Sequence, residues 1–365
     1  MKIGILYFSA LSEIALDVVG LLRQIRLIEE TGLDFVSFPE RHFDRFGGFY
    51  ANPLIYCAIA ASHTKRISIR TGSLIPALHN QIRLKEDIRL VDNISSGRIQ
   101  LCFGSGWNPN DFSINRELFS ERKLWLTKFI ENFDRWYSET ICTERNGNNM
   151  AVELEVFPRK YSNKIPLWLT ISASLPAWEY AGKRGLNVLS HMENVDHESL
   201  RIRIEAYRDG RKSSGLNPGS GIVTLMQHTA ITESEHGVIA ANEALYEYIS
   251  DALKLELRAV ESQSPMSGNK IMPVDQLANS EVREDIARRA TNRYGNKSSL
   301  ISDYATAVTR IQSLKEIGVD EIACLIDFIH DIQIQNETIR NLGTIRKSMS
   351  EDSDNIMDYV NTFCS

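Results

Sequence analysis

Two stretches decide the fold: DFVSFPERHFDRFGGFYANP (Asp34–Pro53) and IQLCFGSGWNPNDF (Ile99–Phe112). Each opens with a short apolar run of strand character, Asp34–Phe38 and Ile99–Phe103. The first run stops abruptly in Glu, Arg, His and Asp, and the second in Gly, Ser, Trp and Asn. Core strands usually hand over to brief turns, whereas chemistry-bearing residues just after parallel strands furnish one face of an α/β barrel.

Working outward, strand-like and helix-like segments alternate. Ile3–Ser9 reads as a strand, followed by a helix with Ile14, Val18, Leu21, Leu22, Ile25 and Ile28 on one face. Asn52–Ser62 reads as a helix, Ser68–Ile75 as strand three, Gln81–Ile94 as a helix and Glu121–Tyr137 as another. A polar excursion at Asn146–Asn149 is expected to precede a small hairpin at Val152–Phe157. Pro166–Ile171, Asn187–His191, Ile222–Ile231 and Glu321–Ile326 complete the strands. Eight strands with intervening helices predict an α/β (β/α)8 barrel. A doubly wound sheet is the alternative, but strand one leads into Phe8-Ser9-Ala10-Leu11 without GxGxxG. The barrel is expected over 1–345, with an insertion of about 262–298 between strands seven and eight and a polar tail over 346–365.

With 365 residues, 43% hydrophobic and 24% charged, the composition is that of a soluble globular chain. The net charge of −6 argues against nucleic acid or an anionic membrane as partner. No apolar run reaches the roughly 20 residues of a membrane helix. The five cysteines are scattered without a CxxC pair, which points to a reducing, cytoplasmic setting.

The strand ends list the candidate site residues: Phe8, Glu40, Arg41, His42, Ser73, Ser105, Gly106, Trp107, Asn108, Ser172, Ala173, Ser174, His191, His228 and Asp327. Histidines come singly, without HxH or HExxH, so no metal site is expected. No GxSxG elbow supports a serine nucleophile. A bound organic cofactor positioned by the protein fits what remains. Ser172 and Ser174 precede a helix with Pro176 in its first turn, a pattern that serves either as a phosphate seat or as plain N-capping.

Seven collinear blocks carry a resemblance: PERHFDRFGGFYANP, Arg70–Arg98, FGSGWNPNDF, LWLTISAS, NVLSH, VTLMQHT and GVDEIACLIDF. Running from about Ile3 to about Leu342, they resemble flavin-dependent luciferase-like monooxygenases. They are most similar to the subgroup of polyketide and nonribosomal peptide biosynthesis typified by the mupirocin-pathway oxygenase. The resemblance implies a cytoplasmic, usually dimeric barrel that takes reduced FMN, often from a separate flavin reductase, and uses O2 as co-substrate. The implied reaction is hydroxylation or oxygen insertion on an acyl or aminoacyl group tethered to a carrier protein. A flavin- or deazaflavin-dependent reductase on the same barrel and a non-catalytic flavin-binding protein are the alternatives.

Carried over by position, Gly72 and Ser73 would lie beneath the flavin ring, at a place where the family often has a non-proline cis peptide. Ser105, Gly106 and Asn108 would line the flavin, and Ser172, Ala173 and Ser174 would receive its phosphate. Trp107 would cover the ring or exclude water. Arg41 stands where luciferases place the first of two adjacent histidines. A guanidinium does not shuttle protons near neutral pH, so His42 becomes the acid/base candidate and Arg41 the holder of an anion or carbonyl. Phe8, His191, His228 and Asp327 are substrate-facing candidates, and Asp111 reads as a loop cap. Departures from the family pattern are Ser105 for the luciferase phosphate-binding Arg, Leu175 and Ala177 at hydroxyl positions, and Asn80-Gln81 for a His-Pro pair.

Overall fold

The computed structural model describes residues 1–8, 17–192, 196–261 and 278–363. Eight parallel strands close on themselves: β1 (Lys2–Leu6), β2 (Phe35–Pro39), β3 (Ser68–Ser73), β4 (Ile99–Phe103), β7 (Leu167–Thr170), β8 (Asn187–His191), β9 (Val223–Ile231) and β11 (Glu321–Leu325). Pairing of β8 with β9 and of β11 with both β9 and β1 completes the ring. A short strand, β10 (Leu300–Ser302), adds to the far end of β9.

Helices cover the outside: α1 (Val18–Glu30), α2 (Pro53–His63), α3 (Gln81–Ile94), α4 (Arg122–Ser138), α5 (Leu175–Lys183), α6 (His197–Ser213), α7 (Glu235–Glu261), α8 (Ser280–Lys297), α9 (Tyr304–Glu316) and α10 (Ile332–Phe363). Local chemistry sets their starts. Asp17, Asn52, Asn80, Asp196 and Asp303 each accept from a backbone N–H in the first turn of the helix that follows. Residues 9–16, which include Ile14 of the expected first helical face, lie outside the described residues, as do 262–277 of the expected insertion. The remainder of that insertion is mostly α8. The helix α10 passes residue 345 without a break, and its Arg346 pairs with Asp34 at 2.6 Å.

Period-2 alternation divides the strands between two cores. Ile3, Ile5, Val36, Ile69, Phe103 and Cys324 join the large core shared with the helices. Leu6, Phe35, Cys102, Trp168, Leu189, Ala323 and Leu325 form the filling of the barrel. Its floor is charged. Arg70 pairs with Glu321 at 2.9 Å, and its guanidinium lies 3.8 Å from the Trp168 ring centroid and 4.2 Å from that of Phe35.

The hairpin differs from expectation. It is an antiparallel pair, β5 (Ile141–Arg145) with β6 (Ala151–Glu155), and Asn146–Asn149 lies within its turn rather than ahead of it. Eight of the ten residues in the two strands are exposed, so no burial pattern marks them in the sequence.

Candidate active site

The C-terminal ends of the eight barrel strands form one mouth, and its two halves differ in chemistry. The neighbours β3, β4 and β7 end in glycines and hydroxyls. The neighbours β9, β11, β1 and β2 end in rings, imidazoles, a carboxylate and a guanidinium.

On the first side, the register between β2 and β3 jumps. Phe38 pairs with Thr71, but Pro39 pairs with Ser73, so Gly72 is an extra residue. Such a bulge reverses which face the following side chain meets. Ser73 therefore shares the inward face of Pro39, while Leu74 stays in the outer core. Gly72 is required there: a Cβ would lie 3.0 Å from Pro39 N and 2.8 Å from a Leu6 methyl. Opposite it, a Cβ on Gly104 would sit 2.2 Å from Ser73 Oγ. Gly106 adopts φ +72°, a conformation that disfavours side chains, and a Cβ there would collide with the Phe112 ring. Ser105 is half-buried beside it. Ser172, Ala173 and Ser174 are exposed, and Ser174, the N-cap of α5, uses no side-chain oxygen for capping.

The glycines let β3 and β4 pack closely around Ser73, and two exposed hydroxyls lie beyond β7 at a helix N-terminus. This donor set fits a flat ring with a phosphorylated tail. The expected cis bond beside Ser73 is not present: among the described residues the cis peptide is Phe157–Pro158.

On the second side, Arg41 is 8% exposed. Its guanidinium carbon lies 5.3 Å from the Trp107 ring centroid and 5.8 Å from that of Phe8. Burial lowers its pKa, with Asp111, Tyr248 and Asp44 acting the other way; the group stays a cation. Phe46 packs edge-on against Tyr248 of α7 at 4.9 Å, and Asp44 pairs with Arg258 at 2.6 Å, so α7 fastens the loop that carries Arg41. Asp111 is buried and pushed up to about 6 by desolvation, against the pull of Arg41 and His42. Asn108 spends its amide on this loop, donating to Asp111 at 3.2 Å and accepting from Asn110 N at 3.0 Å.

His42 turns away from Arg41, with Nε2 at 3.0 Å from Glu40 Oε1. Asp327 accepts from Phe8 N at 3.0 Å and from the Tyr50 hydroxyl at 3.1 Å, which ties β11 to the β1 end. His191 closes β8 half-buried. His228 is boxed by Tyr248, Tyr294 and Phe328, with ring centroids at 4.4, 5.4 and 5.2 Å. Its Nδ1 meets the Tyr294 hydroxyl at 3.1 Å.

His79 is the residue that sequence reasoning passed over, and Glu40 was named at its strand end without a role. Glu40 sits beside the more conspicuous Arg41, and His79 reaches it only through the packing of β2 beside β3.

Desolvation lowers the His228 pKa to about 3, so the folded protein holds it neutral while the unfolded chain protonates near 6.5. The unfolded state then binds more protons below about pH 6.5, and stability must fall with falling pH through that window. The expected loss from this group is roughly 3 kcal/mol at pH 4. Urea unfolding of wild type and His228→Asn between pH 7 and 4 checks it. The variant should show the shallower pH dependence, and equal slopes would refute the assignment.

A family model described as luciferase-like monooxygenase matches residues 1–321. The chain belongs to that family. The alkanal monooxygenase alpha chain of Photorhabdus luminescens is 25% identical over 214 residues, which cover 58% of this chain and 59% of that one. The chain thus spans less than two thirds of the length of the curated relatives it matches. Among solved structures, the monooxygenase RslO1 of Streptomyces bottropensis superposes with a TM-score of 0.71 at 19% identity, covering 94% of this chain and 98% of that one. The oxygenating constituent of 3,6-diketocamphane monooxygenase of Pseudomonas putida, solved with FMN, gives 0.70 at 14% identity, covering 94% and 96%. At these identities the two structures speak for the fold. The family's barrel is thus the architecture found here. Among the described residues no helix is long and apolar enough to cross a membrane, and no cluster of three or more His, Cys, Asp or Glu could hold a metal.

Proposed function

We propose that this chain is an FMN-dependent monooxygenase whose flavin rests on the glycine and hydroxyl side of the mouth and whose substrate meets the aromatic and cationic side. The observation that carries the reading is Arg41, a buried guanidinium held between two rings at the strand ends. Among the described residues no carboxylate forms an ion pair with it. A desolvated cation in that position attracts an anion, or the negative charge that develops on oxygen during reaction.

Gly72, Ser73, Ser105 and Gly106 would hold the ring, and Ser172, Ala173 and Ser174 the phosphate. Bound reduced FMN supplies the electrons that activate O2. The chain's own residues then orient and protect. Trp107, Phe8 and Tyr248 keep water from the reacting atoms. Arg41 holds negative charge at oxygen, and His42 moves a proton. The loop bonds of Asn108, Asp111 and Asp327 keep these groups in place.

We assign the substrate as an acyl or aminoacyl group on a carrier protein, oxygenated by hydroxylation or insertion. The sequence likeness to the biosynthetic subgroup, with Arg41 in the place of a luciferase histidine, supports that assignment. A separate flavin reductase would supply reduced FMN. Residues 1–345 would act as the barrel, with 346–365 appended. Self-association is supported by α2 and α3, which expose Ile55 (57%), Leu90 (50%) and Ile94 (41%), and the active preparation should sediment as a dimer.

The test supplies reduced FMN and O2 with a panel of free and carrier-bound thioesters. Oxygen uptake matched to oxygenated product is expected, faster with carrier-bound thioesters. Turnover with a reduced deazaflavin and no oxygen uptake would establish a reductase instead. Flavin binding without turnover under any reductant would leave a binding protein.

A further inference from the structure

Glu40 is the first residue beyond β2, and its side chain is fully buried. One oxygen, Oε1, lies 3.0 Å from His42 Nε2 and 2.7 Å from His79 Nε2. The other, Oε2, accepts the Ile75 backbone N–H at 2.6 Å. Three donors converge on one carboxylate, and they hold its pKa below the ordinary value although burial pushes the other way. An ionised carboxylate only accepts. Both imidazoles must therefore donate from Nε2, and each keeps Nδ1 as its remaining site for a proton.

We propose that Glu40 joins His42 and His79 into one coupled acid–base unit, in which His79 sets the basicity of His42 Nδ1. This inference deepens the assignment of His42 as the proton-transfer group and rests on it. One negative charge serves two imidazoles, so a proton held by either weakens the pull on the other. His79 is the preferred holder. Burial alone would lower its pKa, but the Glu40 hydrogen bond and charge, with Asp87, raise it. Its side chain is 21% exposed, whereas that of His42 is 13% exposed. With His79 charged, Glu40 is compensated and pulls less on the His42 ring, whose Nδ1 stays free of this hydrogen bond.

The charged groups around the unit are few. Asp111 faces His42 from the loop after β4 and also acts on Arg41. Asp87 faces His79 from α3, itself paired with Arg83 at 3.3 Å. His79 is thus a positioning residue that acts through Glu40.

Imidazole NMR titration of the flavin-free protein tests the proposal without any catalytic readout. His42 and His79 should both show the Nε2–H tautomer when neutral. His79→Gln keeps a hydrogen-bond donor to Glu40 but removes the charge. It should move the His42 midpoint upward by roughly half a unit to one unit, and Glu40→Gln should move both midpoints down. The low-pH limb of oxygen uptake should move up in His79→Gln by the same amount. An unmoved His42 midpoint in a folded His79→Gln protein, or an Nδ1–H tautomer at His42, overturns the proposal. Should Glu40→Gln fail to fold, the more exposed His79 substitution decides alone. Loss of the oxygenase assignment would leave the titration result intact, so the two failures are distinguishable.

Discussion

Replacing Arg41 by Met should lower turnover by about 10²–10³-fold and leave the fold at least as stable as wild type. The two effects have one cause. Arg41 is buried between Phe8 and Trp107, and burial disfavours its charge. Met retains the apolar stem that packs there and removes the desolvation cost of the guanidinium. A residue kept for structure would show the reverse pattern, with stability lost and chemistry spared. Flavin affinity should change little, because the glycine and hydroxyl side of the mouth lies on other strands. Steady-state oxygen uptake, flavin titration and urea unfolding on one pair of proteins check all three. Near wild-type turnover in Arg41→Met would remove Arg41 from the mechanism.

The barrel floor should give the largest loss of stability. Glu321→Ala strands the Arg70 guanidinium, 1% exposed, among Phe35 and Trp168. Breaking one side of a buried ion pair typically costs about 3–5 kcal/mol. The partners that remain do not replace the carboxylate. Gln100 Oε1 accepts from Arg70 Nε at 2.9 Å, and Thr224, which donates to Glu321 at 2.8 Å, loses its own acceptor. Removing both charges, as Arg70→Met with Glu321→Leu, should recover most of the loss, since volume is kept and the charge left without its partner, Lys2, is exposed. Denaturant unfolding of the three variants measures this. A single-variant loss below about 1 kcal/mol would mean that the floor is wetter than its geometry implies.

The barrel was legible because its strands are short apolar runs between turn residues, and burial on both faces leaves that signature. The helix Gln81–Ile94 was read to its ends, and Asn80 caps its start. The hairpin was misplaced because its strands face solvent, and β10, with three residues, is too short to carry a period. The site was legible one strand end at a time. The nearness of Glu40 to His79, the pairing of Tyr248 with Phe46 and the box around His228 arise only when the ring of strands closes.

The extra residue at Gly72 has a consequence for how such chains are compared. A bulge acts as a parity switch: upstream of it one set of β3 positions meets the barrel interior, and downstream the other set does. Ile69 and Thr71 share a phase with Ser73 in the sequence, yet only Ser73 reaches the mouth. Position counting across this strand therefore assigns wall residues to the interior and interior residues to the wall. A relative of equal length with a regular strand here would turn Leu74 inward and Ser73 outward, and would carry an apolar surface in place of a hydroxylated one. Loss of the bulge residue alone would keep Ser73 inward and Leu74 outward, so register rather than the letters sets the surface chemistry here.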